Sequence, residues 1–296
     1  MPQNILIVGK NGQLARSLER ASLPGHPVWL ARRELDLAKP EEISAVLQAH
    51  KPDIVVNAAA YTAVDAAEDD ALTAKAVNAD GPKALAECCK LIDATLIHIS
   101  TDYVFDGTLD QPYTETAPTS PLGVYGTTKL AGEQAIADSG CNYAIVRTAW
   151  VYSPFGNNFL KTMLRVAGSR DELNVVADQV GNPTSALDLA DAIAAMIASW
   201  QKDPACGLNK IYHVAGTNAA SWADFAEQIF TFSKAQGGPF AKVNRIPSSQ
   251  YPTPAARPAN SRLSTALFSS TFDFTMPHWQ SSTEAVVAEL LSAEDD

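Results

Sequence analysis

Ile5-Leu6-Ile7-Val8-Gly9-Lys10-Asn11-Gly12-Gln13-Leu14-Ala15 is the stretch that decides the fold of this 296-residue chain. Four consecutive apolar residues suit a parallel strand buried on both faces. Glycines at 9 and 12 follow at once, and then a helix-compatible run, so the order reads strand, glycine turn, helix. Gly9 permits the tight turn, Gly12 lets the backbone approach a pyrophosphate, and Ala15 takes the third position, where close helix packing demands a small residue. A second strand, Val28-Trp29-Leu30, arrives at the distance that completes the first βα unit. Gly9, Asn11, Gly12, Gln13 and Leu14 are therefore candidates for holding a dinucleotide. At the end of that second strand an acidic residue would grip the ribose of NAD; the chain instead has Ala31-Arg32-Arg33. Guanidinium groups suit a 2′-phosphate, so Arg32 and Arg33 favour NADPH while leaving NADH open, with Asp36 and Leu37 completing that side of the candidate site.

Working outward, strand and helix signals alternate through the first half. Asp53–Asn57, Thr95–Ser100 and Ala144–Arg147 read as strands, with helical stretches near 40–49, 68–91 and 125–139, the last stopped by Gly140. Alternating β and α elements predict a doubly wound parallel sheet, an α/β fold whose ligands lie at the carboxyl ends of the strands. Gly9, the segment Ala58-Ala59-Ala60-Tyr61-Thr62, Ser100 and Thr101 all fall at or just past such ends. After about residue 150 polar and proline-bearing loops appear, with helices near 158–168, 187–200 and 221–235. This predicts a dinucleotide-binding domain over 1–150, joined by short later segments such as 210–218, and a smaller substrate lobe over most of 151–296. The acidic tail Glu294-Asp295-Asp296 is expected to be frayed and solvated.

Composition bounds the function. Asp plus Glu outnumber Lys plus Arg by 33 to 22, which argues against a broad nucleic-acid surface. A hydrophobic content of 46% is enough for a large core. Cys88, Cys89, Cys141 and Cys206 have neither metal-ligand spacing nor a paired framework, as expected in a reducing compartment. The five histidines, His98 and His213 among them, show no ligand spacing and read as structural, so no metal site is predicted. The amino terminus lacks a basic-plus-apolar leader, and the longest apolar runs, such as Ala192–Trp200, are too short to span a bilayer; no membrane partner is expected and cytoplasm is the default.

Tyr125-Gly126-Thr127-Thr128-Lys129 carries the chemistry. At a spacing of four on a helix, the phenol and the ammonium project from one face. A nearby cation favours phenolate, so the pair can exchange a proton closer to neutral pH.

Together the glycine turn, Asn57-Ala58-Ala59-Ala60, Ser100-Thr101-Asp102-Tyr103-Val104-Phe105 and Tyr125-x-x-x-Lys129 resemble the extended short-chain dehydrogenase/reductases. Tyr61-Thr62-Ala63-Val64-Asp65, Arg147-Thr148-Ala149-Trp150-Val151-Tyr152 and Tyr251-Pro252-Thr253-Pro254 extend the likeness over nearly the whole chain, towards the dTDP-4-dehydrorhamnose reductase family. The resemblance implies reduction of the 4-keto group of dTDP-4-dehydro-6-deoxy-L-mannose by a nicotinamide. It makes Tyr125 the proton donor, Lys129 its partner and a contact for the nicotinamide ribose, and Thr101 a contact for the substrate oxygen. It places Asp102, Tyr103 and Trp150 around the sugar, and Asn157, Asn158, Phe159, Lys161, Arg257 and Asn260 around the nucleotide diphosphate. Three positions depart from the family pattern. Ala15 replaces a glycine, Ala256 stands where a second arginine is common, and Ser17 stands where some members carry a glutamate that holds Mg2+ between subunits. Mg2+ thus stays open, as do monomer and homodimer. Two other readings are a sugar-nucleotide reductase or epimerase of the same superfamily, and a non-catalytic regulatory subunit. The intact Thr101, Tyr125 and Lys129 set argues against the latter.

Overall fold

The computed structural model describes residues 3–293; the acidic tail lies outside them. Six parallel strands form the main sheet: β1 (Asn4–Val8), β2 (His26–Leu30), β3 (Ile54–Asn57), β4 (Thr95–Thr101), β5 (Asn142–Thr148) and, much later, Lys210–His213. The strand order is β2-β1-β3-β4-β5 and then Lys210–His213, so the chain reverses its direction of travel between β1 and β3. That switch point is where an open α/β sheet leaves a crevice.

The continuous apolar run of β1 is explained by its two covered faces. Ile5 and Ile7 point into one core with α1 (Gln13–Arg20), while Leu6 and Val8 point into another with α2 (Pro40–His50). All four are at most 1% exposed, worth about 1.5–3 kcal/mol each in apolar burial. The predicted helix over 68–91 is not uniform. It comprises α3 (Ala71–Lys75), a π-helical turn (Ala76–Asp80) and α4 (Gly81–Leu91), preceded by a 3-10 turn at Ala66–Glu68. Local π geometry of this kind is rare and recurs beside functional sites. Next comes α5 (Val124–Ser139), which ends at Gly140 in the left-handed conformation, as its sequence predicts.

Beyond β5 the chain divides its residues between cores. After β6 (Val151–Tyr152) come α6 (Phe159–Ala167), β7 (Glu172–Val176), β8 (Val180–Gly181) and β9 (Thr184–Ser185). They are followed by α7 (Ala186–Lys202), β10 (Lys210–His213, the sixth strand of the main sheet), β11 (Ala220–Ser221), α8 (Trp222–Ala235), β12 (Lys242–Ile246), α9 (Ala266–Phe272) and α10 (Trp279–Ser292). Leu189, Ile193, Met196 and Trp200 of α7, Tyr212 of β10 and Phe268 and Phe272 of α9 return to the core of the main sheet. A separate core gathers Leu160 and Leu164 of α6, Leu173 and Val175 of β7, Phe225 and Ile229 of α8 and Val286 and Val287 of α10. There β7 and β12 pair in parallel, away from the main sheet. Among the described residues no helix is long and apolar enough to cross a membrane.

Candidate active site

A cleft of about 930 Å³ opens at the carboxyl ends of β1, β3, β4 and β5. Its floor is the β1–α1 turn. Gly9 has φ +97°, and its N–H and that of Lys10 both donate to the Leu30 carbonyl, 3.0 Å each, pinning the turn to the end of β2. A Cβ at Gly9 would lie 2.9 Å from the Ala59 nitrogen, so only glycine lets the turn nest against the Ala58–Ala60 segment. Gly12 caps α1 with no side-chain hydrogen bond, and no acid occupies the first helical turn. The first amides of α1 therefore have no side-chain acceptor and sit at the positive end of the helix, facing a cleft lined by Gly9, Asn11, Gly12, Gln13 and Leu14.

The other expected cofactor residues come to the same cleft. Arg32, Asp36, Leu37, Ala58, Ala59, Ala60, Tyr61, Thr62, Ser100, Tyr125 and Lys129 line it, whereas Arg33 is exposed and does not. Asp36 accepts from Arg32 Nε at 3.1 Å and from the Ala38 N–H at 3.0 Å, a pair that leaves most of the Arg32 side chain in water. Asn78, in the π-helical turn, fixes Tyr61 by accepting its N–H (2.9 Å) and donating to its carbonyl (3.0 Å). Nothing in the sequence flagged Asn78, because a π turn has no local signature that distinguishes it from the helix around it.

At the end of β4 the chain makes a 3-10 turn at Asp102–Val104. Thr101 Oγ1 accepts the Tyr103 N–H at 3.2 Å and donates to Asp102 Oδ1 at 3.0 Å. Helix α5 lies directly against this turn. Gly126 makes that possible, since a Cβ there would run into the Tyr103 carbonyl. Tyr125 is thereby brought edge-on to the Tyr103 ring, with centroids 5.5 Å apart. Burial pushes the Tyr125 phenol up to about 12, while a hydrogen bond with Thr101 pulls it down and the Asp102 charge adds to the rise. Burial likewise raises the Asp102 carboxyl to about 6, against hydrogen bonds from Ser261 and Thr101 that favour its ionised form.

Lys129 sits one turn further along α5 and is 1% exposed. Its Nζ does not turn to Tyr125. It donates to the Ile99 carbonyl at 2.6 Å and lies 3.3 Å from His98 Nε2. Burial lowers its affinity for a proton, to about 8, with the Glu133 charge opposing. In this structure, burial rather than a lysine charge sets the tyrosine, unlike the expectation from spacing alone. Glu133 forms a buried bidentate pair with Arg147, at 2.9 and 2.6 Å, and accepts from Ser100 Oγ. This network anchors β4, β5 and α5 to one another beneath the cleft.

The opposite wall comes from loops after β5. Trp150, with φ +46°, lines the cleft and stacks on Trp222 at 3.5 Å between centroids and 6° between planes. Asn157 also lines it. Asn158, Phe159, Lys161, Arg257 and Asn260 do not, and each has a partner in the protein. Asn158 caps α6 and donates to Gln13 Oε1 at 2.9 Å, and Phe159 packs on Trp222 and Phe225. Lys161 donates to the Pro154 carbonyl at 3.0 Å. Arg257 pairs with Asp65 at 2.8 Å, and Asn260 donates to the carbonyls of Leu109 and Gln111. Among the described residues no group of three or more His, Cys, Asp or Glu could hold a metal. Ser17 is buried and donates to the Gln13 carbonyl at 2.9 Å.

The family described as the RmlD substrate binding domain matches residues 3–292. A dTDP-4-dehydrorhamnose reductase of Sinorhizobium fredii is 44% identical over 288 residues, covering 97% of each chain. The protein of that name from Escherichia coli strain K12 is 42% identical over 297 residues, covering 98% of each. A solved structure of dTDP-4-dehydrorhamnose reductase from Bacillus anthracis strain Ames, in complex with NADP, superposes with a TM-score of 0.90 at 34% identity, over 98% of this chain and 100% of that one. Matched in sequence and in fold along almost its entire length, the chain belongs to the dTDP-4-dehydrorhamnose reductase family.

Proposed function

We propose that this protein reduces the 4-keto group of dTDP-4-dehydro-6-deoxy-L-mannose to give dTDP-L-rhamnose, with NADPH as reductant and Tyr125 as proton donor. The observation that carries the reading is the meeting of two features in one cleft: an uncapped helix N-terminus behind a glycine turn, and a phenol kept neutral by burial beside Thr101 and Asp102. Gly9, Gly12 and the first amides of α1 suit a pyrophosphate, and Arg32 is the candidate for a 2′-phosphate. When bound, the nicotinamide supplies the hydride.

The residues of this chain account for the rest. As negative charge collects on the former carbonyl oxygen, Tyr125 Oη transfers its proton there, so the ketone becomes an alcohol and the tyrosine a phenolate. A phenol that stays protonated up to about 12 is fully in the donor form at neutral pH. Thr101, whose hydroxyl lies beside Tyr125, steadies the same oxygen. Trp150 offers a flat apolar wall to a deoxysugar. The unit built on the second core acts as the substrate lobe, with Arg257 a phosphate contact once it exchanges Asp65 for the ligand.

Incubation of the protein with dTDP-4-dehydrorhamnose and NADPH tests the reading. One NADPH should be consumed per alcohol formed at C4. An epimerase would return the hydride and consume none, and a regulatory subunit would leave both compounds untouched; either result overturns the proposal.

A further inference from the structure

His98 is fully buried inside β4 and takes no part in the proton transfer derived above. Its surroundings nevertheless leave it little choice of protonation. The Ala59 N–H donates to Asn57 Oδ1 at 3.2 Å, which turns the Asn57 amide nitrogen towards His98 Nδ1, 3.0 Å away. An amide nitrogen can only donate, so Nδ1 must accept. Burial keeps the ring neutral. A neutral imidazole with a bare Nδ1 carries its proton on Nε2, and Nε2 faces Lys129 Nζ at 3.3 Å. An ammonium there would set donor against donor. A neutral amine would accept from Nε2–H and still donate to the Ile99 carbonyl at 2.6 Å.

We infer that Asn57 and His98 hold Lys129 as a neutral amine in the free enzyme, which makes His98 a positioning residue of the reduction; the functional half of this rests on the role that the family resemblance implies for Lys129, as partner of Tyr125 and contact for the nicotinamide ribose. The charged and polar groups around Lys129 are few. Glu133, one turn along α5, draws it towards the charged form but is itself committed to Arg147 and Ser100. Tyr125, on the same helix, is neutral; from β4 the His98 ring and the Ile99 carbonyl meet the amine, and Asn57 of β3 bears on it through His98. For Lys129 to take a proton from solvent, His98 must lose its Nε2 proton and gain one at Nδ1, and the Asn57 amide must rotate. The ring stays neutral and one proton is added in total. That rotation breaks the bond to the Ala59 N–H, so the charge on Lys129 is coupled to the Ala58–Ala60 wall of the cofactor cleft.

The test reads protons directly, by ¹⁵N NMR of the intact protein without cofactor. The His98 ring should be protonated at Nε2 and bare at Nδ1, with Lys129 losing its charge at or below the pH of about 8 to which burial brings it; an Nδ1–H ring in the wild type would overturn the inference. His98→Gln can present its side-chain oxygen to an ammonium, so the Lys129 titration should move up by about one unit, about a tenfold gain in proton affinity. Asn57→Asp, whose carboxylate accepts both the Ala59 N–H and an Nδ1–H, should move it the same way. An unchanged titration in whichever variant folds overturns the inference. The break that Lys129 contributes to the pH profile of kcat/KM should shift upward with it. Lys129→Met separates the two readings: full turnover in that variant would remove Lys129 from the reduction, whereas the His98 tautomer would be unaffected.

Discussion

The wall of the cleft that carries Tyr125 and Lys129 and the wall that carries Trp150, with Arg257 outside the lining, are put together by different means. The first is regular structure. Tyr125 and Lys129 ride on α5, Thr101 and Asp102 end β4, and beneath them the buried Glu133–Arg147 pair joins helix to strands. The second is built of loops whose polar groups satisfy one another: Asn158 binds Gln13, Arg257 binds Asp65, and Trp150 leans on Trp222. A reacting proton needs donors placed to within fractions of an ångström, which elements locked in a core provide. A bulky ligand needs a surface that can exchange internal partners for ligand contacts, and loops provide that.

The contrast can be broken most severely at Tyr125. Tyr125→Phe should leave the melting temperature and NADPH binding near wild type while lowering kcat by about 10²- to 10⁴-fold, the usual range for a lost general acid. Steady-state turnover beside a thermal melt checks it, and most of the rate surviving would move the proton donor elsewhere. Glu133→Ala attacks the same wall through its support. It strands the Arg147 guanidinium in the core, and chemical denaturation should show a loss of about 3–5 kcal/mol. A loss below about 1 kcal/mol would mean that the wall does not depend on this pair.

Asp102 supplies a pH signature. Its carboxyl is raised to about 6 in the folded protein from the 3.8 of an unperturbed carboxyl, so between those values the folded state binds more protons than the unfolded one. Stability should therefore fall as pH rises from about 4 to about 6, by on the order of 3 kcal/mol in total. Asp102→Asn should flatten that segment. Parallel curves for the two proteins over this window would show that Asp102 is not the group responsible.

On the loop wall the effects should be smaller and confined to the sugar nucleotide. Trp150→Ala removes the flat wall and the stack on Trp222. The substrate KM should rise roughly tenfold with a drop in kcat, in keeping with about 0.5–1.5 kcal/mol for an aromatic pair plus loosened positioning. NADPH titration should be unaffected; a defect in NADPH alone would put Trp150 on the cofactor side. Arg257→Ala should change least. Its pair with Asp65 is partly exposed and contributes about 0–1 kcal/mol, so the melt should hardly move while substrate KM rises a few-fold. An unchanged KM would leave Arg257 as a tie between two loops and nothing more.

The sequence made one wall far more legible than the other. Gly9, Gly12 and Thr101 are readable because each lies at or just past a strand end, where chain order and spatial order coincide, and Tyr125 and Lys129 because a spacing of four inside one helix puts them on one face. His98 illustrates the limit. Inside an apolar strand, with no ligand spacing, it reads as a packing residue, and only the approach of Asn57 from β3 and Lys129 from α5 gives its ring nitrogens distinct tasks. The sequence reading puts Asn158, Lys161 and Asn260 at the ligand, yet their side chains are taken by the Lys161 amide, the nearby Pro154 carbonyl and the distant Leu109 carbonyl respectively. Polar residues in loops carry no periodic signal to say which partner each will meet.

By itself, then, the sequence determined the doubly wound sheet, the glycine turn at its switch point and the tyrosine–lysine helix, because strand burial, tight turns and helix spacing are local consequences of residue type. Tertiary structure alone decided the return of α7 and α9 to the main sheet, the turning of Lys129 away from Tyr125 towards His98, and the burial that holds the phenol neutral. Those outcomes depend on what packs against what. Desolvation and hydrogen-bond partnership arise only when segments far apart in the chain exclude water from the same small volume.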